Sequence, residues 1–257
     1  MRPTAATSAW KTLARRPRTP PLFDVDSLIG LPPPAQRHLE RVLPPRTPLA
    51  TVVRLEMSGE LKVGSRWLPF QARQILSAST GFVWSAEVGG RFLRFSGADV
   101  MEPAGSSMEF RLLGLIPVVR SSGPDIARSA AGRLAAETVA WLPQALAPQS
   151  GARWTTIDDR HATVTLRRPC GTTSVDVEVD DEGRLRSVGL QRWNSDAKPP
   201  QPQPFGGRFG SEFATGDGVL LANDCEVGWG WNTGWWPSGR FFTGRIRSVD
   251  GAGPTAP

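Results

Sequence analysis

The sequence predicts a strand-rich α+β fold, a large curved antiparallel sheet crossed by one main helix. Three observations lead there. From Thr51 onward apolar residues recur at every second position, as in Val53, Leu55 and Met57 against Arg54, Glu56 and Ser58, the period of a strand with two unlike faces. The runs are joined by short Gly- or Ser-rich links such as Val63-Gly64-Ser65 and Ser77–Thr80, the mark of successive hairpins. The only long segment with helical character is 110–166, and strand-like sequence flanks it on both sides.

The elements follow in order. Residues 1–22 combine Thr, Ala, Arg and Pro with few large apolar groups and read as a disordered tail. One domain is expected over 23–250, with a second disordered tail at 251–257. Asp26-Ser27 marks a turn, and Pro34–Val42 reads as a short helix with Leu39 and Val42 inward and His38 on its solvated side. Strands are expected over Arg66–Leu76, Gly81–Val88, Arg91–Gly97 and Ser107–Leu113. Pro117 then breaks an apolar run, and Ser121–Asp125 leads into a helix capped by Asp125 or Ser129. Its inward stripe is Ile126, Ala127, Ala130, Leu134, Thr138 and Trp141, and Pro143 ends it. Strands resume at Arg153–Asp158, His161–Arg168, Thr172–Asp180 and Arg184–Trp193. The proline-rich Asp196–Gly207 reads as a loop, and Arg208–Phe213, Val219–Leu221, Asp224–Trp231 and Arg240–Val249 complete the sheet.

Composition excludes more than it specifies. The net charge of +6 in 257 residues is nearly all arginine scattered along the chain, which argues against a nucleic-acid surface. Cys170 and Cys225 have neither zinc-site nor disulfide-scaffold spacing. The apolar run Leu112–Val119 is far short of the ~20 residues that cross a bilayer. Arg15-Arg16 is followed by no apolar segment, so no signal peptide is read and the cytoplasm is the expected compartment. G-x-S-x-G, H-E-x-x-H, a P-loop and a dinucleotide fingerprint are all missing, and His38 and His161 are the only histidines. No metal or cofactor is expected. Asp158-Asp159 and Asp180–Gly183 are read as turn chemistry.

The stretches LLGLIPVVRSSGPDI, RLAAETVAWLPQAL and ARWTTIDDRHATVTL carry a resemblance. They are similar to a bacterial family known as a domain of unknown function, with the pattern L-x-G-L-x-P-V-V, S-G-P-x-I, R-x-L-A-E-x-x-W-x-P-x-A-L and W-x-x-I-D-D-R-x-A. The likeness runs from about Pro32 to Val249 and is best over Leu112–Leu166. This chain departs from it at Leu134–Glu137, where an alanine replaces a larger apolar residue, and near the C-terminus, where Phe or Trp stands for tyrosine. The resemblance implies an architecture like the lipoprotein-carrier half-barrels, in which sheet and helices enclose an apolar cavity; it implies no activity.

Two features remain as candidate sites. Glu137 shares a helix face with Ala130, Leu134 and Trp141, where a carboxylate is costly unless paired. Either it sits at the stripe's edge against Arg133 or a sheet arginine, or it faces a cavity as ligand anchor or general acid and base, with Arg94 or Arg111 as partner. The second feature is the aromatic hairpin. Trp229 and Trp231 are expected to share a strand face and enter the core, whereas Trp235 and Trp236 fall at the turn as a cap, a stacking platform or a membrane contact. The resulting expectation is a protein that binds a lipid-like or other small apolar ligand between sheet and helix. Its cavity would be lined by Trp84, Phe92, Arg94, Phe110, Leu134, Glu137, Trp141 and the four tryptophans of the hairpin. The alternatives are an enzyme using Glu137 and an interaction or membrane-surface module.

Overall fold

The computed structural model describes residues 5–14, 19–90 and 93–250. It begins with α1 (Ala5–Leu13) and α2 (Pro33–Val42), followed by β1 (Val52–Val63), β2 (Arg66–Ser77), β3 (Gly81–Gly89), β4 (Arg94–Glu102), β5 (Gly105–Leu112) and β6 (Ile116–Ser122). The crossing helix is α3 (Pro124–Trp141). Then come β7 (Arg153–Thr156), β8 (His161–Arg168), β9 (Gly171–Val179), β10 (Leu185–Asn194), β11 (Gln201–Ala214), β12 (Leu220–Trp229), one helical turn α4 (Trp236–Gly239) and β13 (Arg240–Asp250). The 13 strands among the described residues form one open antiparallel sheet in the order β6-β5-β4-β3-β2-β1-β13-β12-β11-β10-β9-β8-β7. The strands therefore make two meanders joined at β1–β13, and α3 links the two outermost strands, β6 and β7, across one face.

That face holds the core. On β3, Phe82, Trp84, Ala86 and Val88 turn inward, and Val83, Ser85 and Glu87 turn outward, the alternation a pleated strand enforces. Phe82 is fully buried, and its truncation to alanine is expected to cost ~3–5 kcal/mol. The second half of α3 is buried nearly all round, from Leu134 to Trp141 with Glu137 half-buried. Alanines at 135, 136 and 140 let neighbouring backbone come close to it. At its start, Pro124 follows Gly123, whose φ of 111° is one that L side chains rarely adopt. Ile126 and Ala127, expected inward, are only half-buried.

Four expectations are corrected. Ala5–Leu13 is a helix, not part of a disordered tail: Ala9 and Leu13, one turn apart, cover Val52, Ile75, Val83 and Val100 on the outer face. His38 is buried, because α2 lies on the β9–β10 turn, where its Nδ1 meets the Gly183 carbonyl at 3.0 Å and burial lowers the imidazole pKa. Ile116–Ser122 is an edge strand paired with β5, where a plain break was expected at Pro117. The proline-rich stretch is already strand from Gln201. Pro202 and Pro204 share one orientation, and the Pro204 carbonyl accepts from Gly230 N, so both ring nitrogens point away from β10 and remove no donor from that ladder. The expected tail at 251–257 lies outside the described residues.

Candidate functional site

Beneath α3 the strands bring one charged cluster into the core. Arg133 donates from Nη1 to Asp99 Oδ2 and from Nε to Glu137 Oε1, each at 2.6 Å. Gln74 Nε2 occupies the other Glu137 oxygen at 2.5 Å. The Arg133 guanidinium also lies 4.4 Å from the Phe82 ring centroid and 5.5 Å from that of Trp84. Burial works to lower its pKa, but Glu137 and Asp99 outweigh that and raise it. Both Glu137 oxygens are thus engaged by neighbours, and its side chain is 13% exposed. Arg94 and Arg111 are not its partners, because they stand on the outward faces of β4 and β5 and pair with Glu87 and Glu109.

Arg192 lies beside this cluster without a carboxylate partner among the described residues. Its Nε donates to the Ser129 carbonyl at 3.0 Å, and its guanidinium stacks 4.5 Å from Phe205 and 5.3 Å from Trp229. Burial, aided by the charge of Arg133, lowers it to about 10. Burial likewise pushes the Cys225 thiol up to about 12, which leaves it protonated and unreactive. No cluster of three His, Cys, Asp or Glu side chains suited to a metal occurs among the described residues.

The space between helix and sheet is filled. Trp84, Phe110, Leu134 and Trp141 belong to one continuous core, and Trp141 Nε1 donates to the Ala222 carbonyl at 3.1 Å. The void beside Trp141 and Leu142 measures about 10 Å³, barely a single water's worth. The expected ligand cavity at these residues is therefore corrected: large apolar side chains on facing elements interdigitate and leave no room. Phe92 lies outside the described residues.

The aromatic hairpin divides. Trp229 ends β12 on the inner face against Phe205, with ring centroids 5.1 Å apart. Trp231 does not join it. It lies over Gly189 and Gly206 on the outer face, where any Cβ would run into its ring at 2.8 and 2.4 Å. The reason is that β12 ends at Trp229, and the chain turns through Gly230 at φ 73° before Trp231 is placed. Trp236 packs edge-on against Trp231 at 4.6 Å, while Trp235 stays 51% exposed.

Open space lies instead on the outer face, as a groove of about 1400 Å³ across β1–β5. Its floor is made of small side chains, Ser85, Ser96, Ala98 and Ser107, which the register aligns through the pairs Ser85–Ala98, Ser96–Arg111 and Val100–Ser107. Ion pairs form its walls, Glu56–Arg73 at 3.1 Å and Glu109–Arg111 at 2.7 Å. Arg247 reaches in from β13 and donates to Ser58 Oγ at 2.6 Å. One end meets α1 at Ala5 and Ala6; the other meets Gly114 in the β5–β6 turn. Next to Gly114, Leu113, Leu115 and Ile116 are 56%, 77% and 59% exposed. Sequence reasoning missed this groove because serines and alanines at alternate positions look like an ordinary wet strand face.

Fold and surfaces together define a class, the wide unclosed antiparallel half-barrel wrapped round one crossing helix. Residues 21–241 match the model of the family of unknown function DUF6544, and the chain belongs to that family. Among solved structures it is similar to a LolA superfamily protein from Nitrosomonas europaea, at 10% identity and TM-score 0.46 over 86% of this chain and 93% of that one. It is also similar to a domain assigned to outer membrane lipoprotein sorting from Vibrio parahaemolyticus, at 9% identity and TM-score 0.40 over 80% and 87%. A DUF1329 family protein from Desulfovibrio piger aligns at 8% identity and TM-score 0.35 over 80% and 88%. No curated protein matches the chain.

Proposed function

We propose that the protein binds an amphipathic, lipid-like ligand without transforming it, and that the ligand lies in the outer groove. The observation that carries this reading is the 1400 Å³ groove ending at the exposed apolar β5–β6 turn. Its volume exceeds the ~300–1,000 Å³ of ordinary small-molecule pockets, which suits an elongated occupant. The lining is itself amphipathic, with methyl and hydroxyl groups on the floor and paired charges on the walls. A long ligand can place a polar group among Arg73, Arg111 and Arg247 and run its apolar part toward Leu115 and Ile116.

Native mass spectrometry of the purified chain, followed by organic extraction, tests the reading. Bound amphipath should be released from the wild type and be absent from Ser85→Trp, which fills the floor of the groove. A clean apo mass for both proteins, with no saturable tryptophan quenching by lipid probes, overturns it.

A further inference from the structure

The up-and-down order of the strands sends alternate turns to opposite ends of the sheet, and the two ends differ in chemistry. One end gathers the β1–β2, β3–β4, β5–β6, β8–β9, β10–β11 and β12–β13 turns. Large apolar side chains project into water from four of them: Val63 and Trp67, Leu93, the Leu113–Ile116 group, and Trp235. Asp196 is the single acid within these turns, whereas Arg66 and Lys198 are exposed without a carboxylate partner among the described residues. The other end gathers the turns around Glu102, Asp158–Asp159, Asp180–Glu182 and Asp217. Its carboxylates are offset only in part by Arg160 and Arg184, which pair with Asp181 and Glu182, and by Arg37 and Arg41 of α2, which donate to the Asp159 and Glu182 carbonyls. Ile157 is the exposed large apolar residue in those turns themselves, and Leu22, Val25 and Ile29 are exposed in the segment that leads into α2.

We propose that the apolar, basic end docks on the surface of an anionic bilayer, with the turn residues Trp67, Leu93, Leu115, Ile116 and Trp235 entering the interface. The inference stands on the turns and not on the ligand reading. Apolar side chains on four separate turns, flanked by cations, match what an interface between headgroups and acyl chains binds, namely buried apolar area plus attraction to anionic lipid. The acidic turns at the far end are repelled by the same surface, which fixes the orientation. Trp235 and Trp236 have different parts in this arrangement. Trp235 faces outward and enters the interface, and Trp236 holds the turn in place by packing on Trp231. Because Gly114 lines the groove, the docked end also brings the groove's mouth to the membrane.

Sedimentation of the full chain with vesicles tests this, comparing phosphatidylcholine alone with mixtures containing one quarter phosphatidylglycerol. Wild type should sediment with the anionic vesicles and less so as salt rises. Leu115→Asp/Ile116→Asp should lower the affinity about tenfold or more, with an unchanged near-ultraviolet circular dichroism spectrum. Ile157→Asp at the far end should bind as wild type does. Equal binding to neutral and anionic vesicles, or equal loss in both variants, overturns the proposal. So does a wild type that ignores vesicles but dimerises in solution through Leu115 and Ile116, which would assign the turns to a second copy of the chain.

Discussion

The two faces of β1–β5 are built from alternate residues of the same strands, yet they have opposite fates. Trp84 and Ser85 are neighbours in sequence; one is packed under α3 beside Arg133, and the other floors an open groove. Large rings fill space where two layers meet, so the side chains that look most like a binding site make a solid core. Small hydroxyl and methyl groups leave space where nothing covers them. Room for a ligand comes from what a strand omits.

Four substitutions break or sharpen this contrast. The largest effect is expected from Arg133→Met, which leaves Asp99 and Glu137 buried without their cation. It should cost ~3–5 kcal/mol in urea unfolding, and a loss below about 1 kcal/mol would mean water reaches the cluster. Glu137→Gln keeps the Arg133–Asp99 pair and should cost ~2–3 kcal/mol; unchanged stability together with loss of an activity would restore Glu137 as a catalytic group.

A smaller effect depends on pH. Burial holds His38 below its ordinary pKa of about 6.5, so the unfolded chain binds this proton more readily than the folded one. The stabilisation is complete above about pH 6.5 and is lost as pH falls from there toward the lowered folded value. Thermal unfolding of His38→Gln between pH 5 and 8 should therefore be flatter than wild type on the acid side. The smallest change in stability, within ~0.5 kcal/mol, is expected for Ser85→Trp, whose new ring enters open space. A large loss there would show that the groove is narrower than its volume implies.

Much of the fold was legible because a period of two survives in most strands, and Val175, Val177 and Val179 against Asp176, Glu178 and Asp180 show why. Legibility failed where long-range contact overrides local pattern. His38 looks solvated until the Gly183 turn covers it, and Pro202 looks unfit for a strand until one side of that strand is seen to need no donor. The groove was hidden for a different reason. Ser85, Ser96 and Ser107 are anonymous in three separate strands, and only the register collects them.

The seam at the middle of the sheet has a consequence for how the chain folds. Each meander is built from neighbouring hairpins, which close quickly, but Arg54 pairs with Asp250 across nearly the whole sequence. Bringing such distant segments together is entropically slow. The two halves are therefore expected to form first and the β1–β13 joint last, with α3 already tethering the far edge of one half to the far edge of the other. Refolding should show its slow phase at that joint, so hydrogen exchange would protect β8–β9 before β1–β13.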